Sequence, residues 1–148
     1  MGKAINATGI DTNSRASAYR NGAQNISSPT KIQLETENYD PGANFDNATN
    51  YRWTCPTAGK YLVTWQVVAT SVAANECVAA YLYKNGSQLT VSQQCNGANS
   101  NTIYTPGTAV IDLAAGDYLE VWGAISSAAS RAVATGQYRC FLDISPVA

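Results

Sequence analysis

The sequence predicts an all-β domain of the sandwich or barrel class, and three observations carry that reading. Short segments alternate apolar and polar residues, the period of a half-buried strand. Between them stand clusters of Asn, Gly, Pro, Ser and Asp, the residues that turns demand. Val, Ile, Thr, Tyr and Trp are plentiful while the helix builders Lys, Glu and Leu are sparse.

Taken along the chain, residues 1–14 are small and polar without periodicity and read as an N-terminal arm ahead of a domain spanning 15–148. Strands are expected at Ala16–Arg20 and Thr30–Leu34, separated by Asn21-Gly22 and Ser27-Ser28-Pro29. Tyr51, Trp53 and Cys55 alternate with Arg52 and Thr54 up to the break Pro56-Thr57-Ala58-Gly59. The clearest strand is Lys60–Thr70, with Tyr61, Val63, Trp65 and Val67 on one face and Leu62, Thr64, Gln66 and Val68 on the other. Cys77–Lys84 and Gln88–Gln94 flank Asn85-Gly86, a strong hairpin signal because both residues accept positive φ. Thr108–Leu113, the turn Ala114-Ala115-Gly116-Asp117 and Tyr118–Ile125 follow. A last strand is expected at Tyr138–Ile144, with Tyr138, Cys140, Leu142 and Ile144 on one face.

A chain of 148 residues suits one domain and is long enough to bury a core without metal or disulfide staples. Nine basic against ten acidic residues, with no basic run, argue against nucleic acid as the main partner. No apolar stretch has membrane-spanning length, and residues 1–12 lack the apolar core of a signal peptide. Asn6 stands where a myristoylation signal needs Ser or Thr. Synthesis in a cytoplasm is therefore expected.

Catalytic chemistry is not expected. The chain has no His, which removes the usual general base, the His-dependent triads and the commonest metal ligand. No Ser–Lys motif, P-loop or dinucleotide fingerprint occurs. The carboxylate pairs open to acid–base chemistry are Glu35/Glu37 and Asp117/Glu120; Glu35 and Glu37 would share a strand face, where exposed charges are the ordinary explanation. Asp40-Pro41-Gly42-Ala43-Asn44-Phe45-Asp46-Asn47 spaces oxygen ligands like a calcium loop, but Tyr51 falls where the closing Glu belongs, so a polar turn is the preferred reading. No cofactor or metal is expected. Cys55, Cys77, Cys95 and Cys140 lack zinc-site spacing. Cys77 and Cys95 are nearly symmetric about Asn85-Gly86 and are candidates for a cross-strand disulfide, while Cys55 and Cys140 read as buried apolar residues. The Asn-x-Ser/Thr sequons at Asn6, Asn25, Asn47 and Asn85 are ascribed to chance. Tyr61, Trp65, Tyr81, Tyr83, Tyr118 and Trp122 suit core and interface packing in preference to a sugar-stacking platform.

The run from Phe45 to Val63, with its aromatic strand Tyr51-Arg52-Trp53, then Pro56, Gly59 and Tyr61, resembles the centre of C1q-like and TNF-like domains. Val110-Ile111-Asp112-Leu113 with Gly116-Asp117-Tyr118-Leu119-Glu120-Val121 resembles that family's hairpin, and Arg139-Cys140-Phe141-Leu142 its closing strand, with Arg139 and Cys140 in place of small residues. The opening Ala18–Ile26, Thr30–Glu37 and Tyr39-Asp40 is most similar to modules of phage and bacterial structural proteins. Spanning roughly residues 16–146, the resemblance implies a jelly roll of about ten antiparallel strands and a homotrimer. It also implies a subunit contact near Tyr61, Trp65, Tyr138 and Phe141.

These readings lead to the expectation of a non-enzymatic virion protein, a capsid decoration or cement protein of a bacteriophage. Its partners would be itself and the major capsid protein, gripped through Lys3, Ile5 and Ile10 of the arm. The rival expectation is a receptor-binding head of a tail fibre or spike. Such a head would recognise host glycan or surface protein through the loops Thr70–Glu76, Asn96–Tyr104 and Ser126–Gly136. A secreted adhesin is disfavoured by the missing signal peptide.

Overall fold

A computed structural model describes residues 12–147. Its strands are β1 (Ala16–Tyr19), β2 (Asn25–Ile26), β3 (Thr30–Lys31), β4 (Thr36–Tyr39), β5 (Phe45–Asp46), β6 (Arg52–Thr54), β7 (Gly59–Val72), β8 (Cys77–Lys84), β9 (Ser87–Cys95), β10 (Asn101–Leu113), β11 (Tyr118–Ile125), β12 (Arg131–Ala132) and β13 (Phe141–Pro146). Two antiparallel sheets face each other, in the orders β10-β7-β13-β1-β4 and β5-β6-β11-β8-β9. β3 adds to β11, and β2 pairs with β12 outside both. Chain neighbours such as β6 and β7 lie in different sheets, the crossing pattern of a jelly roll. Thr12–Ser14, assigned from sequence to the arm, forms a 3-10 turn against β13, and Ser14 is fully buried.

Strand alternation builds the core. Tyr61, Val63, Trp65 and Val67 of β7 point between the sheets with Leu142 and Ile144 of β13, against Leu82, Leu119 and Val121 of the other sheet. Trp53 and Tyr61 meet edge to face at 5.2 Å. The ring of Trp65 lies where a β-carbon on Gly107 would stand, 2.3 Å away, so glycine is what lets β10 cross it. β10 is a sheet edge, which tolerates Pro106 without a lost ladder bond.

Several sequence expectations change. Thr30–Leu34 is a strand only at Thr30–Lys31; beyond it Ile32 donates its amide to the Val121 carbonyl and leaves the ladder. The last strand begins at Phe141, three residues later than the alternation suggests, because residues 137–139 turn outward. Val68, expected opposite Val67, is also fully buried. Its outer side is covered by the returning segment, where Ala134 donates to the Val68 carbonyl and the Cys140 sulfur accepts from the Val68 amide.

Candidate functional site

Of the seven large apolar residues exposed among the described residues, Tyr39, Leu62, Tyr104, Val110 and Tyr138 lie on one surface, the outer face of the β10-β7-β13-β1-β4 sheet. The alternation that sends Tyr61 and Trp65 inward sends Leu62, Thr64 and Gln66 outward. Leu62 is 44% exposed and its register partner Val110 is 59% exposed. Gln66 holds the turn above this face by donating to the carbonyls of Tyr138 and Arg139. Tyr138 and Phe141 stand on this face, as an interface would require. Tyr61 and Trp65 do not: they are 0% and 2% exposed, committed to the inter-sheet core, and their side chains cannot touch a partner. On β7 it is the alternate residues Leu62, Thr64 and Gln66 that face outward.

The β1–β4–β13 half of the face carries a pocket of about 440 Å³ lined by Ser17, Asn38, Tyr39, Gln137, Tyr138, Phe141 and Asp143. Asp143 accepts from the Ser17 hydroxyl at 2.5 Å, and Asn38 donates to that hydroxyl at 2.9 Å. Burial raises the Asp143 carboxyl above the usual carboxylate range, and the Ser17 bond offsets only part of that. Arg15 lies over the Tyr39 ring at 5.7 Å.

A second region gathers at one end of the sandwich. Glu76 receives a two-pronged pair from Arg131 (both 2.8 Å), the Ser127 hydroxyl (2.6 Å) and the Ala73 amide (2.8 Å). These donors, the Arg131 pair foremost, hold its carboxyl down at about 2. Asn96, 4% exposed, donates to the carbonyls of Val72, Ala73 and Asn99, and its backbone pairs with Asn75 and Glu76. The disulfide between Cys77 and Cys95 closes the adjoining rung of the β8–β9 hairpin. Parts of all three loops named from the sequence therefore meet here, as 73–76, 96–100 and 126–130. Thr70–Val72 and Asn101–Tyr104 belong to β7 and β10 instead.

The aromatic residues of β8 and β11 form a stack. Tyr83 lies face to face with Trp122 at 4.8 Å, Tyr81 meets Tyr83 edge-on, and the Lys31 ammonium sits 5.6 Å from the Trp122 ring. Tyr83 thus occupies one face of Trp122, and these rings pack on one another. Glu120 is tied to Lys31 at 2.6 Å and to the Trp122 ring nitrogen at 3.0 Å.

The other candidate groups are held structurally. Glu35 accepts from Arg20 and from the Asn21 and Gly22 amides, while Asp117 pairs with Lys84 at 2.8 Å. Glu35 and Asp117 thus each hold a cation of their own. In the 40–47 turn, Asp40 accepts from the Phe45 amide and Asp46 from the Ala48 and Thr49 amides, each carboxylate closing its own turn. Among the described residues no three His, Cys, Asp or Glu side chains gather as a metal site would require. Burial pushes the Cys140 thiol up to about 11 and raises that of Cys55, so neither is a ready nucleophile. Lys3, Ile5 and Ile10 lie outside the described residues.

A profile of the C1q domain matches residues 16–141. The chain belongs to the C1q domain family. Solved structures agree on the fold. The Eiger TNF structure from S. frugiperda superposes with a TM-score of 0.73 at 14% identity, covering 90% of this chain and 92% of that one. The globular domain of zebrafish complement 1qA gives 0.68 at 14% identity, covering 90% and 96%. Murine APRIL at pH 8.5 gives 0.64 at 16% identity, covering 90% and 98%. No curated protein sequence matches the chain. The jelly-roll fold class expected from the sequence is thus established, whereas its assignment to a phage or bacterial structural protein has no counterpart among these likenesses.

Proposed function

We propose that this C1q domain works without catalysis, by assembling into a homotrimer through the outer face of the β10-β7-β13-β1-β4 sheet. The single observation that carries the reading is that five of the seven exposed large apolar side chains among the described residues lie on that face. A closed ring joins copies head to tail, so two different parts of the face would meet across each contact. Light scattering tests it. The expected mass is three times the 15.7 kDa chain, and Leu62→Asp with Val110→Asp should reduce it to one chain without lowering far-ultraviolet dichroism. A wild-type monomer at micromolar concentration overturns the proposal.

Within that reading the trimer serves as a virion component that decorates a capsid, with the segment bearing Lys3, Ile5 and Ile10 reaching the lattice. Deleting residues 1–14 should then abolish capsid binding and spare the trimer. A second reading, a head that recognises a host surface, is favoured by one observation. Three loops converge on Glu76 and Asn96 at one end, the kind of composite surface on which recognition gathers. Substitutions at Asn99 and Ser130 would then abolish binding to the host surface while the deletion leaves it intact.

A further inference from the structure

We infer that the pocket floored by Asp143 is the receiving half of the subunit contact, and that it takes the guanidinium of Arg139 from a second copy. The inference rests on the self-association reading above and gives it a polar determinant.

The pocket has the chemistry of a cation acceptor. Tyr39, Tyr138 and Phe141 supply aromatic walls, and Asp143 supplies a carboxylate. One Asp143 oxygen accepts from Ser17, and no cation of the described residues pairs with the carboxylate. A half-buried carboxylate among rings is stabilised by a guanidinium, which pairs with the charge and stacks on the walls.

A census of the cations among the described residues points to the donor. Arg20, Lys31, Lys60, Lys84 and Arg131 are each engaged with a carboxylate of their own copy. Three others among the described residues carry no such pair. Arg52 lies over Tyr118 on the opposite sheet, 4.1 Å from its ring. Arg15 is held over Tyr39 at the rim of the pocket in its own copy. Arg139 follows the pocket's Tyr138 in the chain, but its guanidinium is turned to the β10 side of the proposed contact face, where it is exposed and held by the hydroxyl and ring of Tyr104. The guanidinium therefore lies towards β10 and the carboxylate towards β13 and β1, on two different parts of one face. A head-to-tail ring needs that arrangement, because each copy must present both halves.

The test measures dissociation of the full chain by sedimentation equilibrium over a dilution series, for wild type, Arg139→Gln, Asp143→Asn, the double variant and the exchanged pair Arg139→Asp/Asp143→Arg. Each single variant is expected to raise the dissociation constant about tenfold or more. The double should be no worse than either single, the exchange should recover part of the loss, and Arg15→Gln should change little. Asn at position 143 can still accept from Ser17, and Arg139→Gln lies in an exposed turn, so a folding defect in one variant leaves the other informative. Unchanged dissociation in both singles, or strictly additive losses in the double, overturns this inference and leaves self-association standing. A wild-type chain that never associates overturns both.

Discussion

Gly107 and Trp65 offer the sharpest check on how this sandwich is packed. A β-carbon at position 107 would stand 2.3 Å from two ring carbons of Trp65 and 2.8 Å from its ring nitrogen. The ring is 2% exposed and donates to the Ala80 carbonyl of the facing sheet at 3.3 Å, so it has no free direction in which to retreat. Gly107→Ala must displace it. Overpacking of this kind costs about 1–3 kcal/mol, and loss of the bond to Ala80 adds about 1 kcal/mol. For a domain of this size the thermal midpoint should fall by roughly 5–10 °C. The assay is thermal and urea unfolding at one protein concentration, since association also shifts the midpoint. Trp65→Leu removes the obstructing ring at its own cost, and Gly107→Ala added to it should cost far less than in the wild type. An unchanged midpoint for Gly107→Ala, or full additivity in the double variant, would refute the packing argument. Dissociation of the assembly with an undisturbed fold in Trp65→Ala would restore that residue to the interface.

Other outcomes follow from the same structure. Glu76 and Asp117 each have carboxyls held at about 2, below their unfolded values, so their stabilisation is complete above the unfolded range near pH 4 and is lost as pH falls towards 2. Urea midpoints between pH 5 and 2 should show this loss, and Glu76→Gln should flatten part of the slope. Reduction of the Cys77–Cys95 disulfide, which links residues 18 apart, should lower unfolding stability by about 2–3 kcal/mol in urea titrations. Cys77→Ser should mimic that loss and make added reductant ineffective. Arg131→Ala leaves Glu76 without its main partner and should speed amide exchange in residues 73–76 and 96–100, with little change in the central residues of β7.

Much of this molecule was legible in its order of residues, because strand alternation and turn chemistry are local. Tyr61, Val63, Trp65 and Val67 had to share a face, and Asn85-Gly86, at φ of 52° and 79°, had to turn. The three ordered runs that resemble C1q-like domains supplied the fold class. The resemblance placed Tyr61 and Trp65 at the contact, and periodicity could not correct it, because it separates two faces without saying which one meets the other sheet. Glu76, Asn96 and Arg131 fell within the loops singled out from the sequence, but nothing in their neighbourhoods marks them as partners of one another. Arg131 lies 55 residues from Glu76, and only folding makes them a unit.

The sequence by itself determined the class of structure, the strands of the long hairpins, the want of histidine chemistry and the nearness of Cys77 to Cys95. The tertiary structure alone decided the register that joins those cysteines. A plain two-residue turn at Asn85-Gly86 pairs Tyr83 with Gln88, and continued unbroken it would set Cys77 opposite Gln94. A bulge between Leu82 and Tyr83, which leaves Leu89 over, moves the pairing by one residue and brings Cys77 to Cys95. The extra residue falls on β9 and changes which of its residues share a face with β8: Thr90 and Ser92 stand beside Leu82 and Ala80, while Leu89 and Val91 face outward. Distant segments likewise decided which side of β7 stays apolar towards solvent, a choice made only when the second sheet covers the first.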